Sequence, residues 1–273
     1  MSERAQSGPT VHSIHQLGIQ RNLKHLNALV NATQQDNPQL RSMACSALGW
    51  LRHRITIQPL TSCLEDPVAQ VRFAALSSLM YTPQFEDVSL LCSLMQDDLD
   101  ATVRARSARA IGYLKLDGSK ALCQALQHET EPLVLAQIVY ALGRLDCVAA
   151  SQQIYALCET SDTALKIEVT RSLTRFKEPR FNAFEMLASP EPLLRIEAIR
   201  SLAKNHAESL YSVVDTLMSD TNPAVRSAVV VSLRRSQCSK AQSLLRGLPL
   251  DQHPEVRRHQ GRQDESVHAD TEL

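Results

Sequence analysis

The segments DPVAQVRFAALSSL (residues 66–79) and DTNPAVRSAVVVSL (residues 220–233) follow one pattern, in which an Asp is followed by an apolar residue, an Arg and a small-residue helix. That Arg, or the residue in its place, recurs at intervals of 29 to 32 residues, and we call it the anchor of its repeat. The eight anchors are Arg41, Arg72, Arg104, Leu135, Lys166, Arg195, Arg226 and Arg257. A fixed period of this size is typical of stacked supersecondary units, so we expect one solenoid.

Counting from the anchor as zero, the first seven copies agree at three positions. Position −1 is Leu or Val, and position +7 is Leu or Ile, in every copy. Position +6 is always small: Ala47, Ser78, Ala110, Ala141, Ser172, Ser201 and Ser232. Positions −1, +3, +6, +7 and +10 fall on one side of a 3.6-residue helix and predict its buried stripe. The small +6 residue predicts close contact with a neighbouring helix.

Helix starts precede each stripe. Asp36, Asp66, Asp98 and Asp220 stand five or six residues before the anchor, where Asp can cap free N–H groups, and Pro occupies or precedes the first turn. A shorter apolar segment comes before most of these starts. Two helices per period predict an all-α, right-handed α-solenoid of about seven helix pairs, without strands. We expect the solenoid over residues 13–250, with an amphipathic first helix at 14–33 and polar, disordered ends at 1–12 and 251–273.

The repeat resembles the HEAT-like repeats of phycobilisome lyases, whose units follow D-x-x-x-x-V-R-x-A-A-x-x-A-L-G. The matching residues are Asp66, Val71, Arg72, Ala74, Ala75 and Leu79, then Asp98, Val103, Arg104, Ala110 and Gly112, and then Asp220, Val225, Arg226, Ala228 and Leu233. The resemblance covers roughly residues 36–250. It implies the HEAT fold, and it implies that the anchor arginines pair with the Asp residues of adjacent repeats. A repeat of this kind does not define a function.

Composition narrows the functional classes. Basic and acidic residues number 29 each, so no overall field favours nucleic acid or a membrane surface. The apolar runs are too short to span a bilayer, and MSERAQSGPT at the start is no secretory signal, so the expected location is cytoplasmic. The seven Cys form no C-x-x-C pair, and His128-Glu129 is the single His-Glu pair. No metal, cofactor or catalytic residue is predicted.

A candidate binding face lies outside the buried stripe, at positions +5 and +9 of each second helix. HEAT-type solenoids usually line their concave side with these helices. Neither row contains an acidic residue, and aromatic side chains give way to basic ones along the chain. The candidate binding residues are Trp50, Tyr81, Arg109, Tyr113, Tyr140, Arg144, Arg171, Arg175, Arg200, Lys204 and Arg235. Exposed aromatics beside Arg suit stacking and charge-assisted contacts with carboxylates or phosphates.

Three functions are compatible with such a face. The favoured one is a scaffold, adaptor or assembly factor that binds a protein partner through an acidic segment. A second follows from the resemblance: in a bilin lyase or lyase-like chaperone, the Tyr and Arg residues would hold a tetrapyrrole and its propionates, and a second HEAT subunit would be implied. A third is nucleic-acid binding through the basic row, against which the zero net charge argues.

Overall fold

The computed structural model describes residues 9–261, and every regular element in that range is a helix. The chain divides into two compact units, residues 1–150 and residues 151–273. In both units the helix that contains the anchor follows another helical segment and is longer than that segment in every repeat except the last. The all-α repeat architecture predicted from the period is therefore confirmed, while its handedness stays a prediction. No described helix has the length and apolarity needed to cross a membrane.

The first unit is a stack of anchor helices. Its α-helices are α1 (Val11–Ile19), α2 (Leu26–Ala32), α3 (Pro38–Trp50), α4 (Ile57–Ser62), α5 (Ala69–Leu79), α6 (Val88–Asp97), α7 (Ala101–Leu114), α8 (Ser119–His128) and α9 (Pro132–Arg144). The anchor helices α3, α5, α7 and α9 pack in succession, and α2, α4, α6 and α8 each pack on the anchor helix that follows. Short 3-10 helices occupy Leu23–His25, Arg54–Thr56, Cys63–Glu65 and Val148–Ala150.

The second unit repeats this arrangement with shorter first helices. Its α-helices are α10 (Ser151–Tyr155), α11 (Thr163–Phe176), α12 (Pro192–Asn205), α13 (Ala207–Tyr211), α14 (Val214–Met218), α15 (Pro223–Arg235), α16 (Ser239–Gly247) and α17 (Pro254–Gln260). A 3-10 helix at Ala183–Ala188 replaces the first helix before α12. The anchor helices α11, α12, α15 and α17 pack in succession around a core that includes Ile199, Leu233 and Val256.

The ends of the repeat array differ from the prediction. The expected first helix at 14–33 begins earlier, at Val11, and is interrupted after Ile19, because Arg21 adopts a left-handed backbone with φ 49°. Helix α1 packs on α3 as anchor helices pack on one another, so it is an additional, incomplete repeat. At the other end α17 lies within 251–273, the range expected to be mostly disordered, and its Val256 is fully buried. Residues 1–8 and 262–273 lie outside the described range.

The anchor arginines join consecutive repeats. Arg41 donates from Nε and Nη2 to the two carboxylate oxygens of Asp66 at 2.7 and 2.9 Å, and from Nη1 to the carbonyls of Gln35 and Asp36. Equivalent carboxylate pairs are Arg72–Asp98, Arg104–Glu129, Arg195–Asp220 and Arg226–Asp251. The structural role of the anchor row, implied by the resemblance, is present in these five pairs.

The sequence predicted that the Asp residues of the pattern cap helices, but in the structure they do not. Asp98 accepts from the N–H of Asp100, and Asp220 accepts from the N–H of Asn222, so each shapes the turn before its helix. The side-chain caps of α7 and α15 are Asp100 and Asn222. In this position both carboxylate oxygens also accept from the Arg of the preceding repeat.

Candidate functional site

The predicted aromatic row at position +9 is not one continuous surface. Trp50 is half-buried and meets the ring of His15 edge-on, with the ring centroids 5.3 Å apart. A Cβ added at Gly18 would lie 2.6 Å from Cε3 of Trp50, so this ring covers the glycine of α1. Trp50 therefore contributes to packing between α1 and α3.

Tyr81 and Tyr113 remain exposed. Their side chains are 48% and 43% accessible, and the two rings meet edge-on with centroids 5.6 Å apart. Tyr81 follows the C-terminal end of α5 and Tyr113 lies in the last turn of α7, so they stand in consecutive repeats at the common +9 register. This pair lies beside Arg52, Gln84 and Lys115 at the C-terminal ends of α5 and α7.

A larger depression lies nearer the N-terminal ends of α5, α7 and α9, and we call it the α5–α9 groove. Its volume is about 810 Å³. The polar, charged and large apolar side chains that line it are Gln70, Phe73, Asp100, Thr102, Arg106, Arg109, Leu133 and Gln137. Ala69 and Ala105 complete the lining. The side chain of Leu133 is half-exposed at its edge, so the groove offers both apolar and basic surface.

Aromatic rings hold both arginines of the groove. The guanidinium carbon of Arg106 lies 4.4 Å from the ring centroid of Phe73, on α5. The guanidinium carbon of Arg109 lies 4.8 Å from the centroid of Tyr140, on α9, and its Nη1 donates to Oε1 of Gln137 at 3.0 Å. Residues three apart on a helix share a face, so Arg106 and Arg109 lie on the same face of α7. From there, Arg106 extends toward α5 and Arg109 extends toward α9.

These two charges have no carboxylate partner among the described residues. No ion pair is formed by Arg106 or Arg109, in contrast to the anchor arginines. Burial lowers the pKa of Arg106, and the like charge of Arg109 lowers it further. Because arginine is effectively always protonated in proteins, this shift leaves Arg106 cationic at neutral pH. The groove therefore carries two adjacent positive charges, neither of which is ion-paired with a carboxylate of the described residues.

One carboxylate, that of Asp100, does line the groove. It caps α7 by accepting from the N–H groups of Thr102 and Val103, and it also accepts from the hydroxyl of Thr102. The hydroxyl bond is the main cause of its lowered pKa, so Asp100 is an anion at neutral pH. These three bonds all go to Oδ1 of Asp100, and neither Arg106 nor Arg109 donates to the carboxylate.

The basic residues of the second unit are arranged differently. Arg171 donates to Glu168 and Glu197, each at 2.7 Å, and Arg200 donates to Glu197 at 2.6 Å. Glu197 is buried; burial would raise its pKa, but the bond and charge of Arg171 and the charge of Arg200 lower it overall. Glu168 and Glu197, at position +2 of their helices, therefore neutralise Arg171 and Arg200.

The other predicted basic residues occupy separate surroundings. Arg144 ends α9, and its buried Nε has no hydrogen-bond acceptor among the described residues. Arg175 is exposed on α11, and Arg235 is exposed at the end of α15. Lys204 lines a cavity of about 450 Å³ together with Lys177 and His206. Of the predicted site residues in the first unit, the structure thus brings together Arg109 with Tyr140, and Tyr81 with Tyr113.

Sequence reasoning missed the −2 and +2 positions of the anchor helices. Gln70 and Leu133 occupy −2, and Arg106 and Gln137 occupy +2. The available signal was helical spacing: +2 lies three residues before +5, on the same face. Extending the +5 row by this spacing would have identified Arg106 as a neighbour of Arg109, and Glu197 as the neighbour of Arg200.

No cluster of three His, Cys, Asp or Glu side chains suited to an ion occurs within residues 9–261. Glu129, the acid of the single His-Glu pair, accepts from Arg104 and from the N–H groups of Thr130 and Glu131. That carboxylate therefore belongs to the junction between two repeats.

The family model for HEAT repeats matches residues 14–114 and 182–263, which is more than half of the chain. No curated protein matches this chain. Among solved structures, YibA of Escherichia coli is 13% identical, with 94% of this chain and 97% of that chain covered and a TM-score of 0.60. An engineered protein is 14% identical, with 92% and 82% covered and a TM-score of 0.51.

The complex of CpcE and CpcF of phycocyanin lyase from Nostoc sp. PCC7120 is also similar. It is 20% identical, with 90% of this chain and 97% of that chain covered, but the TM-score is 0.38. Likenesses at these identities concern the fold alone. They leave the function to be inferred from the surfaces of this chain.

Proposed function

This chain belongs to the HEAT-repeat family, and we propose that it is a binding scaffold that holds an acidic segment of a protein partner in the α5–α9 groove. The observation that carries the proposal is the pair Arg106 and Arg109, fixed on aromatic rings and without a carboxylate partner. In the second unit Arg171 and Arg200, the arginines equivalent to Arg109, are already neutralised by glutamates at the position of Arg106. An acidic ligand gains most at the cations that lack a counter-charge.

Physical chemistry favours a protein segment as the ligand. The groove combines two cations with the apolar surfaces of Phe73 and Leu133 and with the amides of Gln70 and Gln137. Aromatic, apolar and Arg side chains in one depression are the usual composition of protein-binding hot spots. A nucleic-acid surface normally has an excess of basic residues, whereas this chain has none.

Site-specific photo-crosslinking tests the proposal. Leu133, which is 50% exposed in the groove, is replaced by p-benzoylphenylalanine, and the full-length chain is irradiated in extracts of the source organism. The matched control carries the same group at Leu250, which is 52% exposed in the second unit. We expect Leu133 to capture a protein segment with more Asp and Glu than Lys and Arg, and Leu250 not to capture it.

Substitutions then test the role of the arginines. The double variant R106Q/R109Q should abolish capture from position 133. The control R200Q, at the same +5 register as Arg109, should leave it unchanged, since Glu197 keeps Arg171 as a partner. Equal capture from positions 133 and 250, capture that survives R106Q/R109Q, or capture of nucleic acid in place of protein would each contradict the proposed function.

A further inference from the structure

The span of the α5–α9 groove sets the length of the segment that fits it. The groove crosses three anchor helices that pack in succession. Packed helix axes lie about 8–10 Å apart, so two such steps give roughly 16–20 Å. An extended chain advances about 3.3 Å per residue, which corresponds to about five or six residues. The groove is therefore long enough for a short extended peptide and is open to solvent along its course.

The two arginines also set a spacing. Their Cβ atoms lie about 5–6 Å apart, as is usual for residues three apart on a helix. The guanidinium of Arg106 packs on Phe73 of α5, and that of Arg109 packs on Tyr140 of α9. The two side chains therefore point away from each other, and their guanidinium groups lie farther apart than their Cβ atoms. In an extended chain, residues i and i+2 face the same side and lie about 6.6–6.8 Å apart, whereas residues i and i+1 face opposite sides. Alternating acidic residues can therefore face both cations from one side of an extended chain, whereas adjacent ones cannot.

The cations are held in place before any ligand arrives. The stacking contacts and the bond from Arg109 to Gln137 restrict both side chains. Ordering a long flexible side chain on binding costs about 0.5–1.5 kcal/mol, and restriction in the free protein reduces that cost. A ligand with the wrong spacing cannot recover the loss by moving the arginines, because each would have to leave its aromatic ring.

Asp100 limits where acidic residues can sit. Its carboxylate lies at the N-terminal start of α7, within the same groove. Like charges repel, so acidic side chains of the ligand are confined to the side of Arg106 and Arg109. The row of Gln70, Thr102 and Leu133 is left for neutral side chains and for the ligand backbone, whose polar groups the Gln70 amide can meet.

Resting on the proposed function, we infer that the segment bound in this groove is an extended peptide of about five or six residues with two acidic residues separated by one other residue. One carboxylate pairs with Arg106 and the other with Arg109. The intervening side chain points away from the groove. This assigns a sequence rule, acidic–x–acidic, to the ligand of the first unit.

Two labelled peptides of identical composition test the spacing. One contains Glu-Ala-Glu and its isomer contains Ala-Glu-Glu, within the same Gly and Ser flanks and followed by Leu. Fluorescence anisotropy with the full-length chain measures both dissociation constants. We expect the alternating peptide to bind about tenfold more tightly, since the isomer leaves one guanidinium without a charge-assisted bond.

Single variants remove this preference for a specific reason. In R109Q, and likewise in R106Q, one cation remains and the two peptides should bind equally. R200Q should retain the full preference, and circular dichroism should show all three variants folded. Equal binding of both peptides to the unaltered chain, or a preference that survives R109Q, would overturn the acidic–x–acidic rule.

The outcome also separates this inference from the proposed function. If neither peptide binds, while capture from position 133 still depends on Arg106 and Arg109, the groove holds an acidic protein surface of another form. In that case the sequence rule fails and the scaffold function stands. If that capture does not depend on the two arginines, both fail together.

Discussion

At the scale of single residues, the anchor arginine is the main polar link between repeats. Each bidentate pair also places Nη1 on carbonyl groups of the loop before its own helix, as in Arg226 with Asp220 and Thr221. The guanidinium thus satisfies loop acceptors and a carboxylate at once. Breaking the pair leaves a largely buried cation without its partner, and that is costly.

Asp220→Asn is the cleanest test of one link. The amide oxygen can still accept from the N–H of Asn222, but the negative charge facing Arg195 is lost. We expect the free energy of unfolding to fall by about 1–3 kcal/mol. Asp36→Asn is the control, because that side chain is exposed at the first repeat and should change stability by less than about 0.5 kcal/mol. Urea unfolding followed by circular dichroism measures both. Equal unfolding midpoints for the two variants would contradict the structural role of the pair.

The same links predict acid sensitivity. Burial would raise the pKa of Asp66 and of Asp220, but the bonds from Arg41 and Arg195 lower it overall, and the bond from Arg226 likewise lowers the pKa of Asp251. A carboxyl whose pKa is lower in the folded chain stabilises it fully above the unfolded value of about 3.9. That stabilisation is lost as the pH falls through the folded values. Urea midpoints should therefore decline steeply below about pH 4, and less steeply in Asp220→Asn. A flat profile there would contradict this account.

Residue-scale prediction from sequence succeeded for the anchors and failed for charge balance. The Arg row was identifiable because its period and apolar neighbours repeat. The role of Asp220 could not be identified, because an Asp that caps a helix and an Asp that shapes the turn two residues earlier look alike in a linear sequence pattern. The neutralisation of Arg171 and Arg200 was missed because Glu168 and Glu197 lie one helical turn away, outside the rows compared.

At the scale of elements, close approach of anchor helices depends on small residues at +6 and +8. A Cβ built on Gly112, at +8 of α7, would lie 2.5 Å from Cα of Ala141, at +6 of α9. Both residues are buried. The expected small +6 row therefore fits a contact between helix backbones.

Gly112→Ala inverts the usual effect of removing a glycine from a helix. Alanine is normally better by about 1 kcal/mol inside a helix, but here its methyl group meets backbone that cannot yield. We expect a net loss of stability, and Ala141→Leu should cost roughly 1–3 kcal/mol by overpacking. Gly247→Ala in α16 is the control, since nothing lies within 4 Å of the added Cβ. A melting temperature of Gly112→Ala that equals or exceeds that of Gly247→Ala would contradict the close contact between α7 and α9.

Element boundaries show where periodicity stops being informative. The anchor helices, with their repeated stripe, lie where the pattern predicts. The expected 14–33 helix breaks because a left-handed residue at Arg21 turns the chain, and nothing in its side chain signals that turn. Arg257 was identified as the eighth anchor, but α17 lies in the range expected to be mostly disordered, because it has a single buried apolar residue, Val256, and relies on contact with α15.

At the scale of the whole molecule, the C-terminal boundary of the folded array is testable by truncation. Ending the chain at residue 250 removes Asp251, the partner of Arg226, together with the buried Val256. We expect a clear drop in melting temperature. Ending it at Gly261 should leave the melting temperature near that of the full chain. Indistinguishable melting temperatures for the two truncations would show that α17 contributes nothing to the array.

The groove could be predicted from the sequence only in part. Arg109 and Tyr140 were singled out because they stand at +5 in successive repeats. Phe73, Arg106 and Leu133 join them only once α5, α7 and α9 are packed side by side, since no row at a single register contains all of them. Which cations keep an unneutralised charge is likewise a property of the assembled surface.

Hydrogen–deuterium exchange of the full-length chain, with and without the segment captured at position 133, tests the central claim most directly. We expect binding to slow exchange in residues 69–73, 100–109 and 133–137. R106Q/R109Q should abolish this protection, and R200Q should preserve it. Protection confined to the Tyr81–Tyr113 surface or to the second unit, or protection unaffected by R106Q/R109Q, would contradict that claim.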